Sequence, residues 1–248
     1  MRRYGLIGYP LSHSFSQQFF TEKFKRENIP GCMYENFPLE DIRELTDVLE
    51  KHPDLAGLNV TIPYKEKVLP FLSKQSEVVT AVGACNCIRI DKGVLTGFNT
   101  DVIGFENSVR EFLQPVHQKA LVLGTGGAAK AVYYVLDKLG IDFMEVSRKA
   151  GGAKRLSYEQ LTPEIISGHQ LIINTTPLGM YPKTDEYPPI PYKALTPQHY
   201  LYDLVYNPAV TVFLQKGNER GAVIKNGADM LVIQAEESWR IWNSELVN

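Results

Sequence analysis

The chain has 248 residues, 26 Lys and Arg against 28 Asp and Glu, and a formal net charge of -2. Apolar residues at 44% and charged residues at 22% are globular values, so one or two domains with cores of their own are expected and extensive disorder is not. The near-neutral balance argues against a nucleic-acid scaffold, which needs a basic excess, and no apolar run reaches the roughly 18–20 residues of a membrane helix.

In chain order, residues 4–9 read as a first strand. Gly5, Gly8 and Pro10 break any signal-peptide pattern there, so a cytoplasmic protein is expected. A helix over 14–27 carries Phe15, Phe19, Phe20 and Phe24 on one face. A strand over 33–37, a helix over 39–49 and a strand over 55–60 follow. Pro63 then sits where a helix can begin, which places Lys65 in its first turn. Strands are predicted over 79–90 and 94–98, joined by a hairpin-type turn around Asp91-Lys92-Gly93, and a helix over 101–112. A second block starts near Gln118. It has strands at 120–123, 143–147, 171–174, 201–205 and 222–224, and helices at 128–139, 210–217 and 230–246. The proline-rich stretch 182–197 reads as a surface loop. This alternation implies βαβ units, two parallel sheets and helices on both faces. Cys32, Cys85 and Cys87 form neither a disulfide framework nor a zinc ligand set; buried or half-buried thiols in a reducing compartment, and no metal, are expected.

The loop Gly124-Thr125-Gly126-Gly127-Ala128-Ala129 lies between an apolar strand and a helix and fits G-x-G-x-x-A. Gly124 permits a tight turn, Gly126 lets backbone approach a pyrophosphate, Ala129 allows close helix packing, and the helix N-terminus attracts an anion. Glu145 lies at the usual distance for a carboxylate on a ribose 2′-hydroxyl, yet two residues short of the strand tip at Ser147. Arg148 and Lys149 just beyond suit a 2′-phosphate, which favours NADP over NAD.

In the first block the hydroxyls of 12–16 at a helix N-terminus suit a carboxylate ligand or simple capping. Lys65 in the first turn of a helix suits proton transfer, or is a plain exposed lysine. Asn86 inside a strand is disfavoured and points to a polar site; Asp101 after Asn99-Thr100 is a candidate N-cap.

With these motifs, the chain resembles the shikimate dehydrogenase family over essentially its whole length. The matching segments are 8–16, Asn59-Val60-Thr61 through Lys65, Gly83-Ala84 through Asn86, Gly97 through Asp101, 124–128, Asp203 to Tyr206, and Asn226-Gly227 through Gln234-Ala235. The resemblance implies an α/β substrate domain (1–101 plus 227–248), a Rossmann-type NADP domain (102–226) and an active site in the cleft between them, with hinges near Asp101 and Gly227. It implies reversible reduction of 3-dehydroshikimate to shikimate in aromatic amino-acid biosynthesis, by a monomer or homodimer. By motif position, Ser14, Ser16 and Tyr206 would bind the substrate carboxylate. Asn59, Thr61, Asn86 and Gln234 would serve the ring hydroxyls, with Lys65 and Asp101 as the catalytic pair. Gly124, Thr125, Gly126, Gly127, Ala128, Ser147, Arg148, Lys149, Leu204 and Gly227 would line the cofactor. Three departures stand out: Tyr9 replaces the family's usual Asn, Ser147-Arg148-Lys149 replaces its usual N-R-T, and the chain is rather short for the family. The rival readings are a quinate/shikimate dehydrogenase with relaxed substrate and NAD use, a methylene-tetrahydrofolate dehydrogenase, and a silent nucleotide-sensing protein on the same fold.

Overall fold

The computed structural model describes residues 1–11 and 15–244, in two compact units: Met1–Thr100 with the stretch from Gln234 onward, and Asp101–Ile233. The first unit contains β1 (Arg2–Gly8), α1 (Phe15–Arg26), β2 (Cys32–Pro38), α2 (Leu45–Lys51), β3 (Leu55–Val60), β4 (Lys74–Gln75), α3 (Glu77–Val82), β5 (Cys87–Asp91) and β6 (Val94–Phe98). They form one sheet in the order β2-β1-β3-β5-β6-β4. Parallel pairing holds for β2-β1-β3 and β4-β6, but β3-β5 and β5-β6 are antiparallel, so this sheet is mixed where a parallel one was expected. The reason is local. Lys92 and Gly93 both take positive φ, which closes a tight hairpin and turns β6 back along β5.

Alternation along β1 feeds two cores. Tyr4 and Leu6 join Phe20, Phe24, Tyr34 and Trp242, while Ile7 joins Leu45, Leu58, Val60, Tyr64 and Ile88 on the other face. Phe15 and Phe19 pack against the aromatic cluster, as the predicted stripe requires.

Three predicted elements differ. The helix over 39–49 starts later, because Asp41 and Glu44 form a reciprocal capping box around a 3₁₀ turn, Ile42–Glu44, before α2. Residues 79–90 are not one strand. Ser76 caps the N-terminus of α3, Gly83 ends it with φ 67°, and only Cys87 onward is strand. The β-branched Val78, Val79 and Thr80 favour a strand, but these two caps outweigh that preference. No α-helix opens at Pro63: residues 62–68 form hydrogen-bonded turns leading to a 3₁₀ turn, Leu69–Phe71. Tyr64 N–H donates to the Thr61 carbonyl at 2.8 Å and its buried hydroxyl to the Leu39 carbonyl at 2.6 Å, which fixes this path. Lys65 is therefore not set at a helix terminus.

The second unit contains α4 (Asp101–Val109), β7 (Lys119–Leu123), α5 (Gly127–Leu139), β8 (Asp142–Ser147), β9 (Arg155–Ser157), α6 (Pro163–Ser167), β10 (Leu171–Asn174), β11 (Tyr200–Asp203), α7 (Val212–Asn218) and β12 (Val223–Lys225). The last helix, α8 (Ala228–Asn243), counts with this unit to Ile233 and with the first from Gln234. The six strands pair in parallel throughout, in the order β12-β11-β10-β7-β8-β9. Residues 120–123 of β7 are buried, which explains their unbroken apolar run. The chain leaves β7 to build β8 on one side and β10 on the other. That reversal of strand order opens a crevice at the carboxyl ends of β7 and β10, where such sheets bind ligands. None of the three cysteines is in a disulfide; Cys85 and Cys87 are buried and Cys32 half-buried, and burial pushes the Cys87 thiol up. Among the described residues no helix is long and apolar enough to cross a membrane.

Trp242 is the keystone of the aromatic core. It stacks on Tyr4 at 4.8 Å, meets Phe20 at 5.3 Å, and donates its indole N–H to the Ile88 carbonyl at 3.0 Å. Trp242→Ala should cost about 3–5 kcal/mol in denaturant unfolding. Trp242→Phe should cost only about 1–3 kcal/mol, for the carbonyl left unpaired.

Candidate active site

In the first unit, the ends of β1 and β3 and the start of β5 converge through backbone bonds. Thr61 N–H donates to the Ile7 carbonyl at 2.9 Å, Val60 N–H to Asn86 at 2.8 Å, and Cys85 N–H to Lys65 at 2.7 Å. Lys65, half-buried, is thereby tied beside Asn86, and the Thr61 methyl sits so close over Gly8 that any Cβ there would collide with it. Asn86 lies just before β5, not inside a strand.

Behind these residues is a buried polar network. The Tyr34 hydroxyl, bonded to Ser16, donates to Asn59 Oδ1 at 2.8 Å. Asn59 Nδ2 donates to Ser238 Oγ at 2.9 Å and to the Asn86 carbonyl at 3.3 Å. Asn86 brackets Thr100: its Oδ1 accepts the Thr100 N–H at 2.7 Å and its Nδ2 donates to Thr100 Oγ1 at 3.0 Å. Thr100 Oγ1 reaches Gln234 Oε1 at 3.4 Å and Ser238 Oγ at 3.3 Å, and Ser238 donates to the Gln234 carbonyl at 2.8 Å. The structure thus brings Ser16, Asn59, Asn86 and Gln234 together. It adds Tyr34, Thr100 and Ser238, which sequence reasoning missed. Ser238 had a legible signal, since it lies four residues after Gln234 on one helix face. Ser14 lies outside the described residues. Asp101, the first residue of α4, is buried.

In the second unit, Gly124 has φ 109° and a Cβ there would strike the Thr175 hydroxyl, so glycine is required. Gly126 is the N-cap of the 13-residue α5, without a side-chain cap bond, and a Cβ built on it meets nothing within 4 Å. The loop therefore leaves space and uncapped helix N–H groups, which fits a dinucleotide pyrophosphate. The Tyr133 hydroxyl steadies it by donating to the Gly124 carbonyl at 2.9 Å. Thr125 is exposed, and Gly127 and Ala128 are half-buried in the first turn of α5.

Beyond β8, Ser147 Oγ donates to the Lys149 carbonyl at 2.6 Å, closing a turn from which Arg148 and Lys149 are exposed. Glu145 is engaged elsewhere: Arg155 on β9 pairs with it at 2.6 Å. β9 is three residues long and was not foreseen. Gly227 and Leu204 lie against each other, for a Cβ at Gly227 would run into the Leu204 carbonyl, and Gly227 N–H donates to the Val205 carbonyl at 3.2 Å. Tyr206 is half-buried, and burial pushes its hydroxyl up. Asp203, fully buried at the end of β11, accepts from Asn174, Val205 and Thr211; burial pushes its carboxyl from 3.8 up to about 6.

A family model for the shikimate dehydrogenase substrate binding domain matches residues 6–88. The chain is 38% identical over 255 aligned positions to the shikimate dehydrogenase (NADP(+)) of Carboxydothermus hydrogenoformans, covering 96% of this chain and 90% of that protein. The crystal structure of shikimate 5-dehydrogenase from Thermus thermophilus, in complex with NADP(H) and shikimate, is 27% identical. It superposes with a TM-score of 0.87 and covers 100% of this chain and 95% of that one. Quinate dehydrogenase from Corynebacterium glutamicum, in complex with NAD, is 26% identical with a TM-score of 0.86, covering 98% and 93%.

The Asp203 geometry sets a pH dependence of stability. The folded carboxyl holds its proton more tightly than the unfolded one, so its contribution is fully present below about pH 4 and is lost as pH rises through about 6. The unfolding free energy of the wild type relative to Asp203→Asn should fall by on the order of 3 kcal/mol between pH 4 and 7, read from urea melts at several pH values.

Proposed function

Because the chain belongs to the shikimate dehydrogenase family, we propose that it interconverts shikimate and 3-dehydroshikimate, with Lys65 and Asp101 as the catalytic pair. It is an NADP-dependent oxidoreductase. What carries this reading is similarity over nearly the whole length, covering 90% of an NADP(+)-linked relative. NADP supplies the hydride acceptor for alcohol oxidation and, when reduced, the donor for the reverse direction.

The remaining work falls to this chain's side chains. Lys65 accepts the proton of the reacting hydroxyl and returns it to the carbonyl oxygen in reverse. Asp101 orients a ring hydroxyl. Ser14, Ser16 and Tyr206 bind the carboxylate. Thr61, Asn86 and Gln234 meet the ring hydroxyls, while Asn59, whose amide is bonded to Tyr34, Asn86 and Ser238, holds Asn86 from behind. The glycine loop and the α5 N-terminus hold the pyrophosphate, Ser147, Arg148 and Lys149 the 2′-phosphate, and Leu204 with Gly227 the adjoining wall. Support for the phosphate over a bare ribose is the Glu145–Arg155 ion pair, which leaves Arg148 and Lys149 exposed at the strand tip and Glu145 committed. Three cysteines outside any disulfide suit a reducing compartment, and the cytoplasm is the proposed location.

Lys65→Met should lower kcat by about 10²–10⁴-fold, with a much smaller change in KM for shikimate; near-normal turnover would remove Lys65 from the chemistry. Arg148→Ala should raise KM for NADP roughly 10-fold while leaving the rate with NAD nearly unchanged, read from initial rates with each cofactor.

A further inference from the structure

We propose that Asp203 is the positioning residue of the cofactor end of the second unit: its carboxylate fixes the loops that follow β10 and β11 in the form that binds NADP. The inference rests on the NADP-dependent reading above and names a residue that reading does not use.

Asp203 is the last residue of β11 and has no exposed surface. Both carboxylate oxygens are occupied, and by groups from different segments. Oδ1 accepts the Asn174 amide at 2.9 Å and the Val205 N–H at 3.0 Å; Oδ2 accepts the Thr211 hydroxyl at 2.6 Å. Through Asn174 it reaches the loop after β10, because Asn174 Oδ1 accepts the Thr176 N–H at 3.0 Å and its hydroxyl at 2.6 Å. Thr175, held between them, donates its N–H and hydroxyl to the Leu123 carbonyl at 2.9 and 2.7 Å, and its hydroxyl is the atom that forces glycine at 124. Through Val205 and Thr211 it fixes the loop after β11. That loop carries Leu204, whose N–H donates to the Asn174 carbonyl at 2.9 Å, and it receives the Gly227 N–H at Val205.

One carboxylate thus joins the glycine loop, the Thr175 loop and the Leu204–Gly227 contact. Among the described residues no cation faces it; Tyr192 and Tyr202 are the titratable groups in its field. A carboxylate accepts at both oxygens, whereas an amide keeps one acceptor and turns its NH2 toward Thr211, whose hydroxyl must then accept although it already takes the Leu214 N–H at 3.4 Å. Asp203→Asn therefore keeps the shape and breaks the arrangement. The apolar core of this unit, built on Leu121, Ile172, Leu201 and Phe213, is untouched, so binding should suffer more than folding.

The test is calorimetric titration of NADP, alongside kcat and a thermal melt, for the wild type, Asp203→Asn, Thr211→Val and Thr211→Ser. Asp203→Asn should raise Kd for NADP roughly 10-fold or more, while kcat at saturating NADP changes less than about threefold. Thr211→Val removes one of the three donors and should raise Kd about threefold, and Thr211→Ser should restore the wild-type value. An unchanged Kd in Asp203→Asn with a lower melting temperature would make the residue merely structural and overturn the proposal. If Asp203→Asn does not fold, the Thr211 pair decides: equal Kd values for Val and Ser overturn it, a loss with Val restored by Ser supports it. A wild type that binds NADP but does not oxidise shikimate would contradict the proposed reaction, while the titrations would still decide the role of Asp203.

Discussion

A side-chain amide or carboxylate buried without partners costs more than any single bond returns, so each such group in a core fixes the backbone around it. Asn59, Asn86, Asn174 and Asp203 are buried and each is hydrogen-bonded, and they stand where strands of the two sheets end or begin. At those points the regular ladders stop, and main-chain groups need partners that strand pairing no longer supplies. Asn59 and Asn86 supply them in the first sheet, Asn174 and Asp203 in the second. The functional loops are thereby held by directional bonds from behind, and their outward faces stay available for ligands.

Close approach of neighbouring segments to glycine backbone is the second constraint. Thr61 over Gly8, Thr175 against Gly124 and the Leu204 carbonyl against Gly227 each leave no room for a Cβ. The glycines of the motifs are therefore consequences of how tightly neighbouring segments pack at the strand ends. Gly126 differs: open space in front of it is what a pyrophosphate requires. Packing and ligand binding thus impose glycine for opposite reasons within three residues.

Much of the second unit was legible in the sequence, because an all-apolar strand, a glycine turn and an amphipathic helix have distinct patterns. Residues 120–123 and Gly140 as the stop of α5 are instances. The first unit was harder. Residues 77–82 carry β-branched side chains yet form α3, since Ser76 and Gly83 settle the matter from outside the segment. The turn at 62–68 depends on the Tyr64 hydroxyl reaching Leu39, a long-range bond that periodicity does not register. The mixed sheet follows from the Lys92-Gly93 hairpin, which sets β6 antiparallel to β5, whereas the alternation of strands and helices points to parallel pairing. Among site residues, motifs pointed to Asn86 and Gln234 but not to Ser238 or Thr100, whose contacts form only once α8 lies beside Asn59 and Asn86. The commitment of Glu145 to Arg155 needed β9, too short to leave a pattern.

Fold does not separate the two closest chemistries, for a shikimate enzyme and a quinate enzyme superpose on this chain almost equally well. The distinction rests on the residues at the strand tip beyond β8 and on those around Lys65. The most direct measurement is the initial rate of nicotinamide reduction by the purified protein with shikimate or quinate, each offered with NADP or NAD. The account predicts fast turnover with shikimate and NADP and far slower rates for the other three pairs. Equal rates with quinate or with NAD would contradict it.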